Sequence, residues 1–593
     1  VSAAAPFLNV ARSALGRRWR DRLDANTARE AEAIAATHDL PMTLARVLAA
    51  RGITVSTAEA FLTPRLRDSL PDPDVMIDCA KAVARLARAI DEREVVAIFG
   101  DYDVDGACSA ALLAGYLRHF GLDPIIHIPD RLTEGYGPNS EAIRGFKARG
   151  ATLLVTVDCG TSGHQPLEEA ARLGMDVLAL DHHQAGETLP AVHALVNPNR
   201  QDDLSGLGHL CAAGVVFLVL VALNRVMRTK GATPPDLLAV LDLVALATVA
   251  DVVPLKGLNR AFVAQGLRVM RNRERIGLAA LADAARLDSA PEAWHLGYLI
   301  GPRINAGGRV GDSGLGARLL LTADTDEARA IAAQLDHLNR ERQAIEEGML
   351  LQAEEQALRA LGIEEEVDRA VIVASGEGWH PGVVGIIAGR LKERFNRPAF
   401  AIAINADAVT GSGRSIEGAD LGAAVRAAVE AGLAIKGGGH AMAAGVTLPV
   451  GGITAFERFL DDRLATSVVV ARASGGFAID AALTAESLTP DFVAELQRAG
   501  PFGQGNPEPV IALPAHRLAE VIELRGGHIK AILLSAGGAR IEAMAFRAGG
   551  RPLGDALKKL KGQMIHAAGT LAIDQWGGRS KVTFRLMDIA SAA

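Results

Sequence analysis

Residues 95–121 read "VVAIFGDYDVDGACSAALLAGYLRHFG", and the order of their parts decides the fold. "VVAIFG" (95–100) is a short continuous apolar run, the pattern of a strand buried on both faces. Asp101, Asp103 and Asp105 follow it, and Gly106 then opens a run of helical length and composition. The alternation continues with strand "PIIHI" (124–128), helix "NSEAIRGFKARG" (139–150), strand "TLLVTV" (152–157), helix "QPLEEAARLG" (165–174) and strand "DVLAL" (176–180). Apolar runs separated by helices are βαβ units, and they predict an α/β domain with a buried parallel sheet.

Ligands of such sheets bind at the carboxyl ends of the strands. The acids collect there: "GDYDVDG" after the first strand, Asp158 in "DCG" after "TLLVTV", and Asp181, His182 and His183 in "LDHH" after "DVLAL". Alone, two adjacent histidines describe a solvated loop more readily than a site. Here three strand ends bring five carboxylates and two imidazoles to one edge. These would repel strongly without cations between them, and a carboxylate–imidazole set suits Mn²⁺ or Mg²⁺. "DYDVDG" also opens like an EF-hand loop, but its twelfth position is Leu112 where a bidentate Glu is needed, and a strand precedes it instead of a helix. Gly106 instead lets the chain turn tightly into a helix whose N-terminus can face phosphate. A further acid, Asp251, closes the helical pattern of "LVALATVADVVPL" (243–255) ahead of Pro254.

The chain of 593 residues is too long for one core and predicts roughly three or four domains. With 49% hydrophobic and 22% charged residues it has the composition of a soluble globular protein. Cys79, Cys108, Cys159 and Cys211 lack CxxC spacing and read as reduced packing thiols, which argues for the cytoplasm and against a disulfide framework or zinc ribbon. The opening "VSAAAPFLNVARSALGRRWR" lacks the charged head and apolar core of a secretory signal. The longest apolar run, Leu210 to Leu223, is too short to span a bilayer and is expected to be a buried helix, with no membrane partner. Net charge is −7, but from Leu513 onward twelve basic residues face six acidic ones, a net +6 that leaves −13 for the remainder. A basic terminal module on an acidic body suits a polyanion-binding appendage beside a carboxylate-rich site, although a merely solvated basic surface has the same composition.

Taken together, "GDYDVDG", "VTVDCG", "LDHH" and "ATVADVVPL" resemble, in order and spacing, the DHH phosphoesterase superfamily. Later segments resemble its RecJ branch of bacterial single-strand-specific DNA exonucleases. These are "GPRINAGGRVGD" (301–312), a long helical pattern from Asp324, "TGSGRS" (410–415) and "GGGHAMAAG" (437–445) of a DHHA1 domain, and "AGPFGQGNPEP" (499–509) leading to an OB-type module. The resemblance covers residues 80 to 593. It implies a parallel-sheet DHH catalytic domain joined by a long helix to a DHHA1 α/β domain, plus a C-terminal OB-type β-barrel. The expected spans are an N-terminal helical segment 1–75, catalytic domain 76–325, connecting helix 326–362, DHHA1 domain 363–470, linker 471–510 and OB-type domain 511–593.

The resemblance further implies metal-dependent 5′ to 3′ degradation of single-stranded DNA to 5′-mononucleotides, in recombination and repair, through two divalent ions, Mn²⁺ or Mg²⁺. Matching the family motifs, Asp103, Asp105, Asp158, His182 and Asp251 are the expected metal ligands, with Asp158 bridging. Asp101 and Asp181 are ligands or orient them, and His183 holds the scissile phosphate or acts as an acid. Where the superfamily often has a histidine ligand, this chain has Phe99. Arg303, Asn305 and Arg309 sit among glycines that would let guanidinium and backbone N–H groups approach phosphate. Ser412, Arg414 and His440 match positions expected to grip the 5′ end, although "GGGHAMAAG" alone also reads as a tight turn before a helix. Arg131 and Tyr136 in "PDRLTEGYG" would pair with backbone and stack a base, or be a plain loop. The implied partners of this monomer are single-stranded DNA, a single-strand-binding protein and a recombination helicase. A small-substrate phosphoesterase of the superfamily would not need the basic tail, and a non-enzymatic DNA-binding scaffold would not need the acid and histidine set.

Overall fold

The computed structural model describes residues 5–362, 369–405, 408–576 and 579–592. The first four residues of the stretch inspected for a leader lie outside these, as do the first six of the expected DHHA1 span. Two compact units form, one of Leu70–Val253 with Phe262–Ser474, the other of Val1–Ser69, Pro254–Ala261 and Gly475–Ala593.

In the first unit, β1 (Val96–Gly100), α1 (Val104–His119), β2 (Ile125–His127), β3 (Leu153–Val157), β4 (Asp176–Leu180) and β5 (Ala194–Val196) build a parallel sheet of order β2-β1-β3-β4-β5. β1 and β3 are buried along their whole length, as their unbroken apolar runs require. Edge strand β5 is three residues long, too short to carry a period in the sequence. Below the sheet the buried Arg85 holds Glu94 through a bidentate pair at 2.7 and 2.9 Å and Asp176 at 2.6 Å, the pairing a buried guanidinium needs.

Helix α2 (Ala212–Thr229) carries the longest apolar run. By length and composition alone it would cross a membrane, yet 72% of its apolar window is buried inside the fold, where Phe217 meets Phe262 edge to face at 5.2 Å. It is a core helix, as its sequence predicts. Helix α3 (Leu241–Ala250), almost wholly apolar, ends at Asp251. A π-turn at Leu296–Ile300 leads into α4 (Gly301–Val310), and α5 (Thr325–Leu361), capped by Asp324, runs about 55 Å at 1.5 Å per residue.

Beyond α5, the second α/β domain comprises β6 (Ile372–Glu377), α6 (Val384–Phe395), β7 (Ala399–Asn405), β8 (Ala408–Arg414), α7 (Leu421–Glu430), β9 (Lys436–His440) and β10 (Ala443–Leu448). Its sheet order is β9-β10-β8-β7-β6, with only β6 and β7 parallel. "GGGHAMAAG" is thus a β-hairpin, not a turn into a helix.

In the other unit, β11 (Ile511–Leu524), β12 (His528–Leu534), β13 (Arg540–Ala545), β14 (Met564–Trp576) and β15 (Arg579–Ser591) close into a five-stranded barrel of OB type. Its ring runs β11-β12-β13-β15-β14 and back to β11, with β13 and β15 parallel. The N-terminal segment packs on this barrel and is not helical throughout. Trp19–Asp21 pairs in parallel with Phe477–Ile479, and buried Trp19 donates its indole N–H to Asp588. Asp480 ties the join, forming an ion pair with Arg22 at 2.9 Å and accepting from Arg51 at 2.9 Å and from the Val510 N–H at 2.8 Å.

Candidate metal centre

The strand ends of β1, β3 and β4 deliver Asp101, Asp158 and Asp181 to one edge, and α3 delivers Asp251 to the same place. Asp103 caps α1, its Oδ1 accepting from the N–H groups of Asp105 and Gly106 at 2.8 and 3.1 Å. These two N–H groups at the N-terminus of α1 are thus taken by its own cap, and Gly106 makes the expected tight turn, since a Cβ there would lie 2.3 Å from the Asp101 carbonyl oxygen. Asp105 reaches across to α2, where its two oxygens accept from the N–H groups of Ala212 and Ala213 at 2.6 and 2.8 Å. A carboxylate there lies at the positive end of the α2 dipole. Asp158 has a positive φ of 60°, a left-handed conformation that costs about 1–3 kcal/mol and is characteristic of functional sites.

His182 Nε2 lies 3.3 Å from Asp158 Oδ1, 3.6 Å from Asp251 Oδ2 and 3.8 Å from Asp105 Oδ2. Its Nδ1 is 3.0 Å from the Leu210 carbonyl, which can only accept, so Nδ1 carries a proton and Nε2 is the nitrogen turned toward the carboxylates. Asp101 Oδ1, Asp158 Oδ1, His182 Nε2 and Asp251 Oδ2 are buried without a hydrogen-bond partner, a costly arrangement unless a cation joins them. Ligand atoms of Asp105, His182 and Asp251 lie within 4.8 Å of one another, as do those of Asp101, Asp103 and Asp158 and those of Asp158, His182 and His183. Oxygen and imidazole donors in such groups fit a divalent ion such as Mn²⁺ or Mg²⁺.

Burial, then the charges of Asp105, Asp103, Asp101 and Asp251, pushes the Asp158 carboxyl well above its ordinary range. Asp101 is raised by burial and Asp103, Asp251 by burial and then Asp105 and Asp103, and Asp105 by burial against the opposing pull of His182. Asp181 behaves oppositely: burial pushes it up, but the hydrogen bond and charge of His183 and bonds from Thr161 outweigh this and hold it low. Its oxygens accept from the N–H groups of Thr161, His182 and His183 and from His183 Nδ1. Through these bonds Asp181 holds the histidine pair, and among the described residues it stands in none of the candidate ligand groups. Burial lowers the His183 imidazole, but Asp181 more than offsets it and holds it up at about 9.

Phe99 is fully buried with its ring 5.3 Å from that of His127, so this position belongs to the core and supplies no ligand. The Tyr136 hydroxyl lies 3.1 Å from His183 Nδ1, with the ring exposed.

The expected phosphate contacts divide. Arg309 is pushed down to about 10 by burial and then by Arg131, Arg342 and Arg414, and Arg414 is lowered by burial and Arg131. Among the described residues, Arg131, Arg309 and Arg414 pair with no carboxylate. Arg131 lies over the Tyr102 ring at 4.9 Å, Arg309 donates to the Gly382 carbonyl, and Arg414 donates to Ser412 Oγ. Clustered guanidiniums without an acid suit a polyanion. Arg303 is instead engaged by Asp336 and the Leu299 carbonyl, and Asn305 Oδ1 accepts from the Val104 N–H. The glycines around them do not free backbone N–H groups for phosphate, because residues 301–310 are helical. They allow close packing: a Cβ on Gly308 would lie 2.5 Å from the Tyr102 carbonyl. His440 is exposed at the end of β9.

Comparison with known proteins bears on this arrangement. Residues 95–248 match the DHH family N-terminal domain, 368–466 the DHHA1 domain and 479–588 the RecJ OB domain. The chain is 38% identical to the single-stranded-DNA-specific exonuclease RecJ of Salmonella typhimurium over 528 residues, 86% of this chain and 89% of that one. The Escherichia coli protein of the same name is 37% identical over 528 residues, again 86% and 89% of the two chains. A crystal structure of RecJ from Thermus thermophilus in complex with Mn²⁺ superposes with a TM-score of 0.75 at 29% identity, covering 96% of this chain and 78% of that one. A crystal structure of exonuclease RecJ bound to manganese gives 0.56 at 35% identity, covering 67% and 97%.

Proposed function

This chain belongs to the RecJ family of single-stranded-DNA-specific exonucleases, and from that premise we propose that it hydrolyses single-stranded DNA from the 5′ end to 5′-mononucleotides in a divalent-metal-dependent reaction. The observation that carries this reading is the set of buried, unpartnered oxygens and His182 Nε2 facing one another at the sheet edge. Asp105, Asp158, His182 and Asp251 would hold one ion, and Asp101, Asp103 and Asp158 a second, with Asp158 available to both. Divalent ions held there would supply an activated water, neutralisation of charge on the phosphoryl oxygens and stabilisation of the leaving oxygen. His183, held cationic at neutral pH by Asp181, contacts the scissile phosphate.

Arg131, Arg309 and Arg414, with Ser412 and His440, grip the 5′ end, while the exposed Tyr136 ring stacks a base. Arg414→Ala is expected to raise KM for 5′-phosphorylated single strands about tenfold or more with a smaller change in kcat, since a hydrogen bond to a charged group contributes about 1.5–3 kcal/mol. Steady-state kinetics would read this, and an unchanged KM would remove Arg414 from the substrate site. The basic barrel captures the strand. We place the protein as a monomer in the cytoplasm, in recombination and repair, working with a single-strand-binding protein and a helicase.

Degradation of end-labelled oligonucleotides tests the proposal. Single strands are expected to release label from the 5′ end first, with Mn²⁺ or Mg²⁺ required and blunt duplex resistant. Equal cleavage of duplex, or release from the 3′ end, would overturn it.

A further inference from the structure

The segment between β5 and α2, together with the first turn of α2, makes six hydrogen bonds to the histidine pair and its neighbours Thr161 and Asp105. Asn197 donates through Nδ2 to the His183 carbonyl at 2.8 Å and to Thr161 Oγ1 at 2.8 Å. Asn199 donates through Nδ2 to the His182 carbonyl at 2.5 Å and to the Gly208 carbonyl at 3.0 Å. The Leu210 carbonyl accepts from His182 Nδ1, and the N–H groups of Ala212 and Ala213 hold Asp105. The two asparagines are themselves locked together, since the Asn199 N–H donates to Asn197 Oδ1 at 2.8 Å. Gly208 is seated directly on this arrangement: a Cβ there would lie 2.3 Å from Asn199 Oδ1.

We propose that Asn199 is a positioning residue for the metal centre, fixing the His182 backbone so that Nε2 stays aimed at Asp105, Asp158 and Asp251, and that Gly208 is required because only glycine leaves room for the Asn199 amide. The inference rests on the reading of the site as a metal centre. His182 is anchored at both ends of its residue, by Asn199 at the carbonyl and by Leu210 at the ring. A ring held at Nδ1 alone can pivot, and a ligand free to pivot binds its ion more weakly. Partners that orient metal ligands typically contribute 10- to 100-fold in metal affinity. Neither Asn199 nor Gly208 belongs to the ligand set, so a loss of metal binding on changing them reports orientation.

The test is calorimetric titration of the full chain with MnCl₂, without DNA, for the wild type, Asn199→Ala, Gly208→Ala and the double variant. Asn199 is only half-buried, so its alanine variant is expected to fold, and thermal unfolding in EDTA checks this. Each single variant is expected to bind Mn²⁺ about tenfold more weakly. The double variant is expected to bind no more weakly than either single one, because both disrupt one contact. In DNA hydrolysis the Mn²⁺ concentration for half-maximal rate rises by the same factor, and kcat recovers at saturating Mn²⁺. Wild-type Mn²⁺ affinity in folded Asn199→Ala would overturn the positioning role, and additive losses would overturn the link from Gly208 to Asn199. A wild-type chain that bound no Mn²⁺ would overturn the metal centre itself and the inference with it.

Discussion

Asp158→Ala is expected to lower the rate of single-stranded DNA hydrolysis by at least about 10³-fold while leaving DNA affinity nearly unchanged. Asp158 joins Asp101 and Asp103 on one side and His182 on the other, so its loss disturbs both proposed ion positions together. The lost stabilisation of transition-state charge amounts to several kcal/mol, and about 1.4 kcal/mol is a tenfold change in rate. Binding should survive because the cationic cluster of Arg131, Arg309 and Arg414 and the basic barrel are untouched. Single-turnover hydrolysis and fluorescence anisotropy with a labelled oligonucleotide separate the two properties. Retained turnover would remove the shared-ligand assignment, and lost binding would mean that Asp158 also supports the fold.

The second large effect concerns stability. A carboxyl whose proton affinity is raised by folding contributes stability while protonated and loses it as pH rises through its raised value. Asp101, Asp105, Asp158 and Asp251 are all of this kind. In EDTA their contribution therefore falls as pH climbs above the ordinary carboxylate value of about 4. Asp181, held low, has the opposite sign, and its stabilisation is lost only in strong acid. Mn²⁺ at a hundred times its Kd should restore about 2.7 kcal/mol at pH 8, seen as a rise in Tm. Asp158→Asn should raise Tm in EDTA at pH 8, because it removes one repelling charge, and should respond less to Mn²⁺. A fall in Tm for Asp158→Asn in EDTA would contradict the repulsion on which the metal assignment stands.

The parallel sheet and its acid-bearing edge were legible because buried strands announce themselves as unbroken apolar runs, and an aspartate at a strand's end is placed by that run alone. Asp101, Asp158 and Asp181 needed nothing more, whereas the histidine pair read as a site only through the acids at the neighbouring strand ends. Asp251 was harder, since it follows a helix and not a strand, and only its company with the other motifs marked it. The segment around Asn197 and Asn199 left no signal, because an amide donating to a backbone carbonyl has no characteristic spacing. Such contacts exist only once β4, β5 and α2 are packed. Arg303 and Arg309 illustrate the same limit. Six residues apart in one glycine-containing segment, they look alike in sequence, yet one is neutralised by Asp336 from α5 and the other faces further arginines. Strands of three residues, such as Ala194–Val196 and Trp19–Asp21, are equally silent, being too short to show a period.

Two divalent ions sharing Asp158 at one sheet edge are what the proposed reaction requires. Anomalous diffraction at the manganese edge from crystals of the full chain grown with MnCl₂ would reveal them. Two manganese peaks are expected, one ligated by Asp105, Asp158, His182 and Asp251 and the other by Asp101, Asp103 and Asp158. A single peak, or two that share no Asp158 oxygen, would contradict this arrangement.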